Sequence, residues 1–324
     1  MKLKIGIVMD SLKKINIKKD SSIAILNEAQ KRKHKIYYIN IDNLFIKNNK
    51  SYAEIQKIKL NIKKKKWFIL KKKKDIILTK LHVILMRKDP PFNMNYIYST
   101  YILEIAEKKG VLIINKPKNL RNYNEKIFSL HFKKIITDTL VTKKYSKIKK
   151  FFNIHKDIII KPLNGMGGRS IFRIKKNDNN YSVIIENMTK YETVYCMIQR
   201  YLPEIKMGDK RIIIINGKII PWCLSRIPKK GEHRGNLAVG GEGKIEKINK
   251  NDLKISKYIA PKLKKLGLLI VGIDIIGNKL TEINITSPTG ICEIQKYTKI
   301  SITKIIIKMI EKKIKKKKYD NISI

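Results

Sequence analysis

The sequence predicts an α/β protein, with a parallel N-terminal domain followed by antiparallel hairpins. Three observations carry this. The first 120 or so residues alternate short apolar runs with helix-like stretches. Beyond residue 123 the apolar runs come as pairs flanking turn residues. The 16 glycines are gathered, eight of them lying in the two stretches 165–168 and 231–243. Alternation of strand and helix argues for a parallel sheet, and paired strands with turn signals argue for hairpins.

The opening "KIGIVMD" reads as a buried strand. Asp20-Ser21-Ser22 then supplies N-cap chemistry for a helix to about residue 33. "KIYYINI" is the next strand, giving a βαβ opening. The Lys-rich 45–80 region predicts a hairpin and loops. "HVILMRKD" is a further strand closed by Pro90-Pro91, a helix spans roughly 95–109, and "GVLIIN" is a strand.

Three hairpins follow. Strands 157–162 and 170–175 flank a glycine loop, 210–215 and 218–226 flank Asn216-Gly217, and 268–276 and 280–285 flank Gly277-Asn278. Asn-Gly is the strongest short hairpin signal, because both turn positions need positive φ. The tail "SITKIIIKMIEKKI" predicts a helix capped by Ser301. Its apolar face comprises Ile302, Ile305, Ile306, Met309 and Ile310.

The net charge of +47 raises the question of nucleic acid. Of the 73 basic residues only nine are Arg, and Lys and Ile rise together along the whole chain. Planar guanidinium forks dominate base and phosphate recognition, and no nucleic-acid motif is present. The charge therefore reads as compositional drift, and no specific nucleic-acid partner is expected. No apolar run approaches the ~18 residues of a membrane span. Asp10 interrupts the first apolar run too early for a signal peptide. Cys196, Cys223 and Cys292 form no metal or disulfide pattern. The expectation is a cytoplasmic protein. In so drifted a chain, islands that keep Gly, Arg and Asp mark chemical constraint.

"GMGGRS" at 165–170 lies between two strands and lacks the P-loop pattern. Read alone, it is either a plain hairpin turn or a loop whose bare N–H groups cradle phosphate, with Lys161 adding a point charge. Asp274, Glu282 and Asn284 are hard oxygen donors of the type Mg²⁺ takes beside nucleotide phosphates. Glu282 and Asn284 share a face by the two-residue period. Asp274 joins them if the loop is Gly277-Asn278-Lys279, whereas a two-residue loop puts it on the other face. The alternative is a carboxylate paired with Lys at a sheet rim. Counting from the Asn-Gly turn, Arg211 falls opposite Trp222 with Arg226 on the same face. Arg234 sits in a glycine-bracketed loop long enough to act as a lid. Converging arginines suit capture of carboxylate and transferring phosphate.

Taken together, "IIIKPLNGMGGRSIFR", "GDKRIIIINGK", "RIPKKGEHRGNLAVGGEG" and "GIDIIGNKLTEINITSPTGI" resemble the ATP-grasp ligases. "IGIVMDSLKKINIKKDSS", "ILMRKDPPFNMNYIYSTYILE" and "NKPKNLRNYNEKIF" narrow the resemblance to the bacterial glutathione synthetase family, over about residues 3–310. It implies an N-terminal α/β domain (1–122), an ATP-grasp lid subdomain (123–202), a C-terminal ATP-grasp subdomain (203–316) and a basic tail (317–324), with ATP sandwiched between the two grasp sheets.

It also implies ATP-dependent joining of γ-glutamylcysteine and glycine through an acyl phosphate, with Mg²⁺ or Mn²⁺, in a homo-oligomer, a tetramer. By the family pattern Lys126, Lys161, Gly165, Met166, Gly167, Gly168 and Asp209 contact the nucleotide, and Gln199, Tyr201 and Leu202 line its adenine pocket. Asp274, Glu282 and Asn284 hold the metal. Arg211, Arg226 and Arg234 bind substrate carboxylates and the moving phosphoryl group, with Arg87, Asp89 and Ser287 as further substrate candidates.

Two residues depart from the pattern. Cys292 stands where the family has Arg, and Arg169 replaces a smaller residue and is expected to point outward. Two rival readings remain. Another ATP-grasp carboxylate–amine ligase, such as a protein-tail glutamate ligase or a D-alanine:D-alanine ligase, would share the loop and the metal hairpin. A polyanion-binding protein carrying relic motifs would have lost its isolated carboxylates first.

Overall fold

A computed structural model describes residues 1–320. Its N-terminal sheet has eight strands: β1 (Lys4–Met9), β2 (Lys35–Asn40), β3 (Leu44–Lys47), β4 (Lys50–Leu60), β5 (Phe68–Leu70), β6 (Lys74–Ile77), β7 (Val83–Met86) and β8 (Leu112–Ile114). The centre, β2-β1-β7-β8, is parallel, as the βαβ opening predicts. These strands are covered on both faces, which is why they read as unbroken apolar runs. Helix α1 (Ser21–Lys31) starts at Asp20, whose carboxylate accepts from the Ile23 N–H at 2.7 Å. Helix α2 (Met94–Lys108) packs on the other face. The 45–80 region holds more structure than a hairpin and loops. The eleven-residue β4 pairs β2, β3, β5 and β6, so the Lys run at 63–66 and Lys71–Lys73 occupy the turns around β5, and Lys74 opens β6.

Helix α3 (Pro117–Asn122) leads into a four-stranded antiparallel sheet of β9 (Thr139–Thr142), β10 (Asp157–Pro162), β11 (Phe172–Lys175) and β12 (Cys196–Arg200). Helices α4 (Tyr145–His155) and α5 (Tyr181–Thr189) back it. This unit closes its own small core around Ile158, Ile160, Ile174 and Ile198.

The third sheet contains β13 (Asp209–Ile215), β14 (Lys218–Ile227), β15 (Glu242–Lys247), β16 (Ile270–Ile276) and β17 (Lys279–Asn284), in the order β15-β14-β13-β16-β17. Helix α6 (Lys250–Lys265) opens with a capping box between Asn249 and Asp252. Helix α7 (Ile291–Tyr297) precedes α8 (Ile302–Asp320). The Ser301 hydroxyl accepts from the Lys304 N–H at 3.3 Å, the predicted cap. Ile302, Ile306, Met309 and Ile310 are buried against α1 and the first sheet, and Ile305 packs at the edge of that cluster. Helix α8 runs through the first part of the expected 317–324 tail, and 321–324 lie outside the described residues. Among the described residues no helix is long and apolar enough to cross a membrane.

The first and third sheets share their cores. Asn115 joins them. Its Nδ2 donates to the carbonyls of Ile270 (2.8 Å) and Ile285 (2.6 Å), and its Oδ1 accepts from the N–H groups of Leu269 and Ile270. All four hydrogen bonds of a buried amide are thereby met, holding the β16–β17 hairpin in a fixed relation to the N-terminal domain.

Both hairpins of the third sheet depart from the predicted register. Arg211 pairs with Leu224, not Trp222. Between the pairs Ile214–Ile219 and Ile212–Cys223, Ile213 faces Ile220, Pro221 and Trp222, a bulge of two residues. Pro221 has no N–H to give a ladder and is accommodated at such an irregularity. Because the insertion is even, Arg226 stays on the face of Arg211. At the other hairpin the turn is two residues, not three, since Ile276 pairs with Lys279. Asp274 nevertheless lies opposite Glu282, because Thr281 is an extra residue on β17 that restores the parity. The Thr281 hydroxyl donates to the Asp274 carbonyl at 3.2 Å and secures the bulge.

Candidate active site

A cavity of about 350 Å³ separates the second sheet from the third. From the second sheet come Lys161 at the end of β10, the loop Gly165–Gly168, Gln199 on β12, and Tyr201 and Leu202 after it. Gly167 (φ 67°) and Gly168 (φ 79°) hold left-handed conformations that turn the loop over the cavity. The Gln199 amide donates to the Thr139 hydroxyl at 3.0 Å. The Tyr201 ring is covered on one side by the Arg173 guanidinium, 3.4 Å from its centroid. Arg173 is held in turn by Asp157 through two hydrogen bonds of 2.9 and 2.6 Å. The fixed ring forms one wall of the cavity at the junction of the two sheets.

Asp209, Arg211, Arg226, Asp274, Glu282 and Asn284 line the opposite wall. Arg211 grips Asp274 with a fork, Nε to Oδ1 at 2.5 Å and Nη2 to Oδ2 at 2.8 Å. Arg226 Nη2 reaches Asp274 Oδ2 at 3.0 Å and Asp209 Oδ2 at 2.5 Å. Burial alone would raise the Asp274 carboxyl, but the two guanidinia outweigh it and hold it well below the usual carboxylate range. For Asp209 burial wins over Arg226, and its carboxyl is pushed up to about 6. Gly272 makes room for this clamp, since a Cβ there would meet Arg211 Cδ at 2.7 Å.

Lys126 reaches across the cavity wall. Its ammonium lies 3.1 Å from Glu282 Oε1 and 2.8 Å from the Gly165 carbonyl. Lys161 is buried, and the desolvation pulls its ammonium down to about 8. Arg234, on the 231–243 loop, donates to the Gly168 carbonyl at 3.1 Å and to Glu232 at 2.5 Å, so that loop closes onto the glycine loop.

The substrate candidates divide. Asp89 and Ser287 line the cavity. Arg87 does not. It lies in the seam behind, with Nε on Ser22 Oγ at 3.0 Å and Nη2 on the Pro288 carbonyl at 2.9 Å. Beyond the end of β7 strand parity no longer governs side-chain direction, and the chain sends Arg87 inward and Asp89 toward the cavity. Arg169 is exposed at the cavity rim. Cys292 lies outside the cavity lining, its thiol on the Asp20 carbonyl at 3.4 Å and pushed up to about 12 by burial. Glu125, beside Lys126, was not singled out from the sequence. Its carboxylate is half-buried at the cavity and accepts three hydrogen bonds from Ile285 and Thr286. Nor was Asn236, which packs on Gly168.

The donor set fits Mg²⁺. Asp274 and Glu282 stand opposite each other on adjacent strands, and Asn284 is two residues along the same face. Asn284 turns its Nδ2 to Asp274 at 3.1 Å, which leaves its Oδ1 for a cation. Two carboxylates and an amide oxygen are the hard ligands a phosphate-bound Mg²⁺ takes, with water filling the rest.

A family model described as the prokaryotic glutathione synthetase ATP-grasp domain matches residues 125–299, and one described as the N-terminal domain of the same family matches residues 3–121. The chain belongs to the prokaryotic glutathione synthetase family. Glutathione synthetase of Buchnera aphidicola subsp. Acyrthosiphon pisum (strain APS) is 60% identical over 312 residues, covering 96% of this chain and 98% of that one. Glutathione synthetase of Escherichia coli (strain K12) is 49% identical over 309 residues, with 95% and 98% covered. Among solved structures, the ATP-grasp ligase PsnB complexed with precursor peptide PsnA2 and AMPPNP aligns over 96% of this chain and 98% of its own, at 15% identity and a TM-score of 0.61. D-alanyl-alanine synthetase A from Vibrio cholerae aligns over 97% and 98%, at 12% identity and a TM-score of 0.60. At those identities the structures attest the ATP-grasp fold alone. Family membership makes the chain an ATP-dependent ligase.

Proposed function

We propose that this chain joins the cysteinyl carboxylate of γ-glutamylcysteine to the amine of glycine, converting ATP to ADP and phosphate and releasing glutathione. The observation that carries the reading is the full-length membership of the glutathione synthetase family together with one cavity that gathers the glycine loop, two lysines and the Asp274–Glu282–Asn284 row.

A carboxylate is a poor electrophile at neutral pH. Transfer of the γ-phosphoryl group of ATP gives an acyl phosphate, which the glycine amine attacks with phosphate leaving. Such transfer depends on positioning and charge neutralisation more than on a protein nucleophile. Lys161 and Lys126 supply cations to the phosphates, and the bare N–H groups of Gly165–Gly168 approach them without a Cβ in the way. Gln199, Tyr201 and Leu202 form the adenine end. Asp274, Glu282 and Asn284 would hold Mg²⁺ (or Mn²⁺), which when bound would supply positive charge to the phosphates. Arg211 and Arg226 keep Asp274 ionised in a buried site, and their remaining donors would take the substrate carboxylate. Arg234 ties the 231–243 loop to the glycine loop, and the closed pair excludes water from an intermediate that water would destroy. Asp89 and Ser287 receive the polar end of the dipeptide.

The test is phosphate release from Mg-ATP with γ-glutamylcysteine and glycine together, then with each omitted. Release needing both, and lost in Glu282→Gln, is expected. Release with neither, or with other acid–amine pairs only, overturns the glutathione assignment. The family resemblance further supports a cytoplasmic homotetramer, which sedimentation of the purified chain checks.

A further inference from the structure

The ladder from β16 satisfies one edge of β17 and leaves the other facing the linker that precedes the second sheet. Buried N–H groups on that edge need partners. Glu125 provides them at three residues. Its main-chain carbonyl accepts from Ile283 at 2.9 Å, and its Oε1 accepts from the N–H groups of Ile285 (2.7 Å) and Thr286 (2.8 Å) and from the Thr286 hydroxyl (2.9 Å). Ile283 and Ile285 point into the core. Glu282 and Asn284, between and beside them, point into the cavity. The residues flanking Glu125 hold the facing loop: Asn124 Nδ2 donates to the Leu163 carbonyl at 3.1 Å and Lys126 to the Gly165 carbonyl at 2.8 Å.

We propose that Glu125 is a positioning residue: it stands in for the missing neighbour strand of β17 and so sets the direction of Glu282 and Asn284, while Asn124 and Lys126 fasten the glycine loop to the same point. The inference rests on the metal-binding reading of Glu282 and Asn284. A one-residue strap of this type transmits its effect through ligands it does not itself share. Removing the acceptor frees β17 to shift at its edge, which misdirects the oxygen donors without altering their chemistry.

The test compares Glu125→Ala and Glu125→Gln in the full chain, using Mn²⁺ with a non-hydrolysable ATP analogue as probe and electron paramagnetic resonance to count free Mn²⁺. Glu125→Ala is expected to weaken Mn²⁺ binding by about tenfold or more, the range for loss of a ligand-orienting partner. Glu125→Gln, which keeps the accepting Oε1, is expected to stay near the parent value and to restore turnover. Unchanged Mn²⁺ binding in Glu125→Ala overturns the proposal. So does a Gln variant as defective as Ala, since that makes the charge itself the requirement. Should Glu125→Ala not fold, Thr286→Val deletes one of the three donors to Oε1 and is expected to weaken Mn²⁺ binding by a smaller factor, no change again counting against the proposal. Mn²⁺ binding is read without acceptor substrates, so failure of the glutathione assignment would leave this result interpretable. Failure of the parent chain itself to bind Mn²⁺ would instead remove the metal reading beneath it.

Discussion

Lys126 Nζ lies 3.1 Å from Glu282 Oε1 and 2.8 Å from the Gly165 carbonyl, so it rests on a carboxylate proposed as a metal ligand. Phosphate and Mg²⁺ entering the cavity would exchange partners with it, Lys126 passing to phosphate and Glu282 to the metal. Lys126→Met should raise the KM for ATP by about 10- to 100-fold, matching ~1.5–3 kcal/mol for a lost charge-assisted hydrogen bond. Titration with Mn²⁺ alone should show tighter binding in the same variant, because Glu282 has lost its competitor. Parallel weakening of both would refute the exchange.

Lys161 gives the pH dependence. Burial pulls its ammonium down to about 8, so the free protein carries the charge below that pH and loses it above. kcat/KM for ATP should fall by about tenfold per pH unit beyond it, since kcat/KM follows groups of the free enzyme. The sign for stability is opposite. The unfolded lysine titrates near 10.4, so between about 8 and 10 the unfolded chain binds more protons and the contribution of Lys161 to stability rises with pH. Loss of ATP use there is thus not attributable to unfolding at this residue. Lys161→Arg, which stays charged, should flatten the limb in a pH profile of kcat/KM.

The strands of the parallel centre were legible because burial on both faces leaves a plain apolar signature, and α1 because Asp20 caps it in sequence as in space. The hairpins were legible as hairpins but not in register. Turn residues count a ladder from its closed end, and the bulges at Pro221 and Thr281 change the count beyond them. One bulge carries two extra residues and preserves the faces. The other carries one and restores the face that a two-residue turn alone would reverse. Helix α6 went unread because Pro261, inside it, argues against a helix in sequence, although Asn249 and Asp252 announce its start. In the site, residues within motifs were found at the cavity. Arg87 was not, its direction being decided by the seam with Pro288. Glu125 escaped because its partners are backbone N–H groups 158 and more residues away, which no local pattern displays.

Asp274 depends on Arg211 and Arg226 for its charge. Arg211→Ala removes the two-pronged partner and leaves that buried carboxylate with Arg226 alone, so the cost stays below the about 3–5 kcal/mol of a buried charge with no partner. A lowered urea midpoint is expected. In Arg211→Ala/Asp274→Ala the under-neutralised carboxylate is gone, so part of the loss should return. A double variant no more stable than the single would show that lost packing around the Arg211 stem, not the charge, dominates.

Gly168 is where the two loops over the cavity meet. At φ 79° it holds a conformation that L side chains rarely adopt, and a Cβ there would meet Asn236 Oδ1 at 2.6 Å. The Gly168 carbonyl also receives Arg234 Nη1 at 3.1 Å. Gly168→Ala therefore strains its own backbone by ~1–3 kcal/mol and pushes the 231–243 loop from the glycine loop. Misplacement of about 1 Å at a phosphoryl-transfer site costs up to ~100-fold, so kcat/KM for ATP should fall while the melting temperature, governed by the sheet cores away from these loops, changes little. Adding Asn236→Ala removes the steric clash and leaves the φ penalty. Recovery of part of the activity in the double variant would assign the loss to loop contact, and no recovery would assign it to the conformation of the glycine loop itself.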